Sequence, residues 1–238
     1  KFWPQEVYQV LKTKGHAFKL LGSQHNLKED DIRNIREQLV GWSLYISITN
    51  DTSPDEILVQ SLELNSPTIF YALFRELANH LKGHNVDVNP AAYNKLLWLC
   101  NCISKLDVDS QEEYDQVLRY LAACISPLES VDEIIWECMQ RLASGFNRFI
   151  SNELYDAFNK HIEKYAKHIT SIIIIMLDVA SEWAFSLENK LDDIIYKIKA
   201  NPELSAEFKI INNKFINRGI YRFNNDQVIN QDPDLDNE

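Results

Sequence analysis

The chain has 238 residues, of which 45% are hydrophobic and 25% are charged, and its formal net charge is −11. These values are typical of a globular protein with a buried core, and they exclude a disordered or collagen-like chain. The length suits one domain or two packed subdomains. Only 6 glycines and 7 prolines are present, which favours an all-α fold over a turn-rich β fold. The negative charge disfavours nucleic acid, itself a polyanion, as a partner.

Several helix starts are marked by a capping residue followed by proline. The pairs are Ser53-Pro54, Ser66-Pro67, Asn89-Pro90 and Asn201-Pro202. In each pair the polar side chain can accept a hydrogen bond from an unpaired amide, and proline suits the first helical turn. Ser130 and Glu133 also have the spacing of a capping box. We therefore predict that helices begin at these positions.

Apolar residues recur every three or four positions between these starts, as expected for amphipathic helices. Residues 42–48 also alternate like a strand, but no second strand is evident to pair with them, so we predict a helix there. For residues 1–146 we predict irregular antiparallel helical hairpins. Their lengths resemble tetratricopeptide or HEAT repeats in general architecture.

The stretch between Gly145 and Pro202 contains neither glycine nor proline. Its apolar residues keep helical spacing over 150–198, and an unbroken helix of that length would extend roughly 75 Å. We predict one long helix with a bend near Thr170, where hydroxyl groups adjoin a β-branched run. The predicted second region, 147–223, comprises this helix and a C-terminal helix packed on it.

Four cysteines lie on predicted apolar faces: Cys100, Cys102, Cys124 and Cys138. We predict free, buried thiols and hence a reducing compartment, either the cytoplasm or, after secretion, the cytosol of a host cell. The sequence contains no zinc-ligand spacing, so we predict no metal. The uncharged run from Ile169 to Leu177 is far shorter than the roughly 20 residues of a membrane span.

Charge is unevenly distributed along the chain. Residues 107–137 contain nine acids and one base, Arg119. We predict that this segment forms a surface that binds a protein partner with a basic face. The candidate partner-binding residues are Asp109, Glu112, Glu113, Asp115, Glu129, Asp132, Glu133 and Glu137.

The C-terminal part has the opposite pattern, with seven bases against four acids over residues 189–222. Aromatic residues alternate with these bases, a mixture that phosphate contacts and base stacking would use. Residues 224–238 then contain five acids and no base, which predicts an acidic disordered tail. One alternative is an intramolecular switch, in which this tail folds back on the basic segment.

Arg75 and His80 have the spacing Arg-x4-His, which resembles the signature of HEPN-type ribonucleases. The resemblance covers six residues. It implies an all-helical protein in which Arg75 and His80 together cleave RNA at a dimer interface. Glu76 departs from the pattern, since that family commonly has a small polar residue there. A second interpretation is that His80 simply lies in the last turn of a helix, where its charge suits the dipole.

No glycine-rich phosphate loop, nucleophile elbow or zinc-protease motif is present. We therefore predict no cofactor and a non-enzymatic helical interaction or regulatory protein. The frequent Asn, Ile and Lys are typical of an AT-rich genome, which fits a bacterial effector or adaptor. The alternative is a helical ribonuclease or RNA-binding protein that uses Arg75 and His80.

Overall fold

A computed structural model of the chain describes residues 40–51, 67–81, 89–104, 114–146, 150–179 and 191–223. These ranges contain helices and no strand, so the all-α prediction is confirmed there, including a helix over 42–48. The helices are α1 (residues 40–49), α2 (Pro67–Leu81), α3 (Pro90–Ser104), α4 (Tyr114–Ile125), α5 (Glu133–Ala143), α6 (Asn152–Val179), α7 (Asp192–Ala200) and α8 (Ser205–Asn217).

Several helices pack on the next helix but one. α2 packs on α4 and α4 packs on α6, while α3 packs on α5. The consecutive pairs α2 with α3, α4 with α5 and α5 with α6 are also in contact. As a result, α2, α4 and α6 lie side by side.

A single hydrophobic core runs from Val40 to Phe223. Phe146 and Ile150, which flank the predicted boundary after residue 146, both belong to it. Large side chains that are fully buried include Trp136, Tyr114, Phe70, Phe74 and Phe158. The two predicted regions therefore share one core, and the predicted tail, 224–238, lies outside the described residues.

Two of the predicted proline starts are confirmed. α3 begins at Pro90, where the Asn89 side chain accepts a hydrogen bond from the Ala92 amide (3.2 Å). Asn201 likewise accepts from the Glu203 amide (3.0 Å), at the start of a short 3-10 turn that leads into α8. α2 is described from Pro67 onwards, and its predicted capping residue, Ser66, lies outside the described residues. The fourth pair, Ser53-Pro54, lies outside the described residues.

The predicted capping box at Ser130 and Glu133 is wrong, because α5 begins later, with Asp132 as its N-cap residue. The Asp132 carboxylate does not cap the helix, since the Tyr93 hydroxyl of α3 donates a hydrogen bond to it (2.5 Å). The Asp132 amide also donates to the Tyr93 hydroxyl oxygen (3.2 Å). A contact with a distant helix thus sets the start of α5.

The long helix α6 has 28 residues and bends at Tyr165, whose backbone is non-helical (φ −122°, ψ 33°). The predicted bend at Thr170 is therefore five residues too late. Thr170 is fully buried, and its hydroxyl has no hydrogen-bond partner among the described residues. The Tyr165 hydroxyl, in contrast, is bonded to both backbone groups of Val131. The bend thus coincides with a contact between residues distant in the chain, and not with the run of β-branched residues.

The chain doubles back after α6, because α7 and α8 both pack on it. The Lys197 ammonium of α7 donates to the Asn159 side chain of α6 (3.1 Å). In one unbroken helix these residues would lie about 57 Å apart. A continuous helix over 150–198 is therefore excluded, whereas the expected C-terminal helix does pack on the long one. Within the described ranges, no helix combines the length and apolar character needed to cross a membrane.

Candidate functional site

Arg75 and His80 lie on different faces of α2. Five residues along an α-helix correspond to a rotation of about 140°. The Arg75 guanidinium lies over the Tyr71 ring, 5.2 Å from its centroid. His80 Nε2 is 3.4 Å from the Glu76 carboxylate, and the His80 ring is 5.3 Å from that of Tyr45. The structure thus gives the two residues separate partners, and His80 occupies the last turn of α2.

Arg75 instead belongs to a row of side chains across α2, α4 and α6. The Tyr71 ring meets the Tyr120 ring of α4 edge to face, with centroids 4.9 Å apart. Arg119 of α4 makes two hydrogen bonds, of 3.1 and 3.2 Å, to the Glu153 carboxylate of α6. We call Tyr71, Arg75, Arg119, Tyr120 and Glu153 the tyrosine-arginine strip.

Electrostatic interactions connect the members of the strip. Burial raises the pKa of Tyr120, as does a hydrogen bond with Tyr71, while the charges of Arg119 and Arg75 oppose this rise. Burial alone would also raise the pKa of Glu153, but the hydrogen bonds it accepts, including those from Arg119, outweigh burial and hold its pKa below the usual value. The charges of both Arg75 and Arg119 therefore act on Tyr120.

A cleft of about 380 Å³ adjoins the strip at Arg119 and Glu153. It lies between the first turns of α4 and α6, and its apolar lining includes Leu118, Phe146 and Ile150. Asp115 also lines it and is only 8% exposed. This predicted partner-binding residue is therefore buried and cannot contribute to an exposed acidic surface.

The other predicted acidic residues are distributed as follows. Asp109, Glu112 and Glu113 lie outside the described residues. Glu137 is exposed on α5, and Asp132 is bonded to Tyr93. Glu129 lies 3.4 Å from the Lys160 ammonium and Glu133 lies 3.7 Å from His168 Nε2. Side chains of α6, Lys160 and His168, thus lie against two of the acidic residues that the sequence concentrates in this segment.

Side chains of α6 also hold the connection between α4 and α5. Lys160 donates to the Pro127 carbonyl (3.0 Å), and His161 Nε2 lies 3.1 Å from the Ile125 carbonyl at the end of α4. His161 is buried and packs against Trp136, with ring centroids 5.8 Å apart. Burial lowers the pKa of His161, although the Ile125 carbonyl opposes this effect. His161 is thus a packing residue of this connection.

The buried His161 should make stability depend on pH. Because its pKa is lowered in the folded protein, the unfolded chain takes up a proton first as the pH falls below about 6.5. Stability should therefore decrease from neutral pH downwards, until the folded protein is also protonated. In the variant His161→Gln the free energy of unfolding should depend less steeply on pH, by up to about 1.4 kcal/mol per pH unit. Urea unfolding between about pH 7.5 and about pH 5.5 measures it, and an unchanged slope would contradict the assignment.

Tyr165→Phe should destabilise the protein by about 1–3 kcal/mol, because it leaves buried backbone groups unpaired. The hydroxyl donates to the Val131 carbonyl (2.6 Å) and accepts from the Val131 amide (3.2 Å). A matched control is Tyr155→Phe, since the Tyr155 hydroxyl makes no hydrogen bond within the described part of the chain, and it should cost less than about 0.5 kcal/mol. Equal urea midpoints for the two variants would contradict the role of this hydroxyl.

The basic C-terminal segment is largely engaged in contacts within the protein. Lys214 bonds to Asp178 and Arg218 to the Leu177 carbonyl, both on α6. Lys197 is likewise bonded to the Asn159 side chain, Lys199 to the Phe223 carbonyl, and Arg222 to Asp192. The aromatic residues Phe215 and Phe223 are buried. These bases stabilise the packing of the C-terminal helices. Their side chains are therefore engaged within the protein and do not form an exposed row that could bind the phosphates of a nucleic acid.

The cysteines form no disulfide. Cys100, Cys124 and Cys138 are buried, and Cys102 is partly exposed. Burial raises the pKa of Cys100 and of Cys124, and so disfavours the nucleophilic thiolate. Across the described ranges, no group of three or more His, Cys, Asp or Glu side chains could hold a metal ion.

Sequence reasoning missed the strip, although one signal for it was present. Tyr71 and Arg75 are four residues apart, a spacing that places them on one helical face. Arg119 and Tyr120 form a second arginine-tyrosine pair on another helix. The two pairs meet because α2 packs on α4. The spacing of residues within each helix does not reveal this packing.

Comparison of the chain with protein-family models, curated proteins and solved structures found no match.

Proposed function

We propose that the chain is a non-enzymatic helical interaction protein that binds a protein partner in a reducing compartment such as the cytoplasm. The observation that carries this proposal is the tyrosine-arginine strip. Tyrosine and arginine are over-represented among the residues that dominate the binding energy of protein interfaces. Here they lie across helices that share one packed core, so little conformational entropy is lost when they bind.

The helix contacts support a related, finer proposal. Contacts between alternate helices, as in α2 with α4, α3 with α5 and α4 with α6, are typical of stacked helical hairpins, as in tetratricopeptide or HEAT arrays. Such arrays present extended surfaces that bind peptides or partner helices. We propose that α2 to α6 act as an irregular array of this kind.

The acidic residues of α5 and of the loop before it have a secondary role in this proposal. Asp132, Glu133 and Glu137 are exposed, so they can attract a basic region of a partner. Exposed charges of this kind mainly raise association rates, whereas buried anchors supply affinity. Among the described residues no contact favours the ribonuclease alternative, because Arg75 and His80 have separate partners.

Affinity capture from lysate of the source cell tests the proposed function. Two baits are compared, the parent protein and the variant Arg75→Ala, and bound material is analysed for protein and for RNA. We expect a stoichiometric protein partner with the parent bait. RNA without a protein partner would contradict the proposal, and cleavage of that RNA by the parent but not by Arg75→Ala would favour the ribonuclease alternative.

A further inference from the structure

We propose that the tyrosine-arginine strip is the docking surface for an extended acidic segment of the protein partner. The inference rests on the proposed function and specifies the chemistry of the bound segment. The strip runs from Arg75 and Tyr71 on α2, over Tyr120 and Arg119 on α4, to Glu153 on α6. The cleft of about 380 Å³ lies at its α6 end.

Both arginines of the strip are available to carboxylates. The structure places no carboxylate against Arg75 within the described residues, and its guanidinium carbon lies over the Tyr71 ring, 5.2 Å from the centroid. A contact with one ring leaves N–H donors for a carboxylate, since a guanidinium has five of them. Arg119 does have a partner in Glu153, but its side chain is 46% exposed. Solvent weakens such a pair, so an incoming carboxylate can compete with Glu153.

The same geometry disfavours a nucleic acid on this surface. Base stacking needs an open aromatic face, whereas Tyr71 contacts both Arg75 and the Tyr120 ring. The chain also has a net charge of −11, which repels a long polyanion more strongly than a short acidic peptide. A segment with a few carboxylates therefore fits the strip better than RNA does.

The dimensions of the strip set the length of the bound segment. Neighbouring packed helices are about 8–10 Å apart, so crossing from α2 to α6 takes roughly 16–20 Å. An extended peptide covers this distance with about five or six residues. The cleft beyond Arg119 is close to the smaller end of ligand pockets in volume, and its mixed lining includes the apolar Leu118, Phe146 and Ile150 and the acidic Asp115 and Glu153. Because acidic residues also line it, it suits an apolar side chain that follows the acidic residues better than a further acidic one.

A defined peptide tests the proposal by fluorescence anisotropy. The probe is a fluorescein-labelled octapeptide of six glutamates followed by two leucines, and the matched probes are the glutamine analogue and an oligothymidylate of equal length. We expect the acidic peptide to bind the parent with a Kd below about 100 μM at low salt, and the glutamine analogue to bind at least about tenfold more weakly. Arg75→Ala should weaken binding of the acidic peptide by about tenfold or more.

Lys209→Ala is the matched control, because it removes one positive charge from an exposed position on α8. It should change the Kd by less than about twofold, and both variants should melt within about 2 °C of the parent. Absence of peptide binding to the parent, or equal losses in Arg75→Ala and Lys209→Ala, would overturn the docking surface. So would tighter binding of the oligothymidylate than of the peptide.

The two proposals fail in different ways. If a protein partner is captured equally well by the parent and by Arg75→Ala, the docking surface is wrong and the interaction function stands. If no protein partner is captured at all, the proposed function itself is wrong.

Discussion

Replacing Trp136 by alanine should lower the free energy of unfolding by about 3–5 kcal/mol. Trp136 is fully buried and joins α5 to the bent part of α6. Its ring centroid lies 5.3 Å from that of Tyr165 and 5.8 Å from that of His161. Its removal should therefore leave a large cavity beside the connection between α4 and α5. For a chain of this size the melting temperature should fall by about 6–20 °C.

The matched control is Trp136→Phe. The Trp136 indole N–H is buried and has no hydrogen-bond partner among the described residues, so phenylalanine should keep most of the packing and lose no hydrogen bond. We expect a cost below about 1.5 kcal/mol. Urea and thermal unfolding measure both variants, and a loss below about 1 kcal/mol for Trp136→Ala would contradict the packing described for α5 and α6.

The second large effect concerns thiol reactivity. Cys100, Cys124 and Cys138 should react with iodoacetamide at least about a thousandfold more slowly in the native protein than in urea. All three are buried, and the Cys124 thiol donates to the Phe74 carbonyl (3.4 Å). Because the thiolate is the reactive form, their modification should require opening of the core. Cys102 is partly exposed and should react fastest of the four.

Mass spectrometry of the labelled protein over time measures this difference. The control is Cys102→Ser, in which the fast phase should disappear while the slow phases remain. Rapid native labelling of two or more cysteines would contradict the described core and would also weaken the argument for inert structural thiols.

The sequence predicted those parts of the fold that depend on neighbouring residues. Asn89 and Asn201 cap the turns that follow them because a capping side chain acts over two or three positions. The helix over 42–48 was also predictable, since an isolated strand has no partner to satisfy its backbone. Each of these predictions uses only short-range chemistry.

Predictions that depend on distant contacts were less successful. The bend of α6 lies at Tyr165, where Val131 is thirty-four residues away in the chain. The capping box at Ser130 gave way to Asp132 because Tyr93 of α3 binds that residue. Neither contact leaves a signal in local spacing, since both depend on how the helices pack.

The candidate site shows the same division between local and distant effects. The spacing of Arg75 from His80 suggests a shared site, but the fold places Arg75 over Tyr71, whose ring contacts that of Tyr120. Asp115 was assigned to an acidic surface because of its acidic neighbours in the sequence, yet it is only 8% exposed. The number of acidic residues in a segment does not show which of their side chains the fold will bury and which will be paired with bases.

The central claim is that Arg75 acts with the tyrosine-arginine strip and not with His80. The most direct test compares binding of the labelled acidic octapeptide by the parent, Arg75→Ala and His80→Ala under one set of conditions. Our account predicts a loss of about tenfold or more for Arg75→Ala and a change below about twofold for His80→Ala. Equal losses of peptide affinity in the two variants would contradict our account and would indicate that Arg75 and His80 belong to one site.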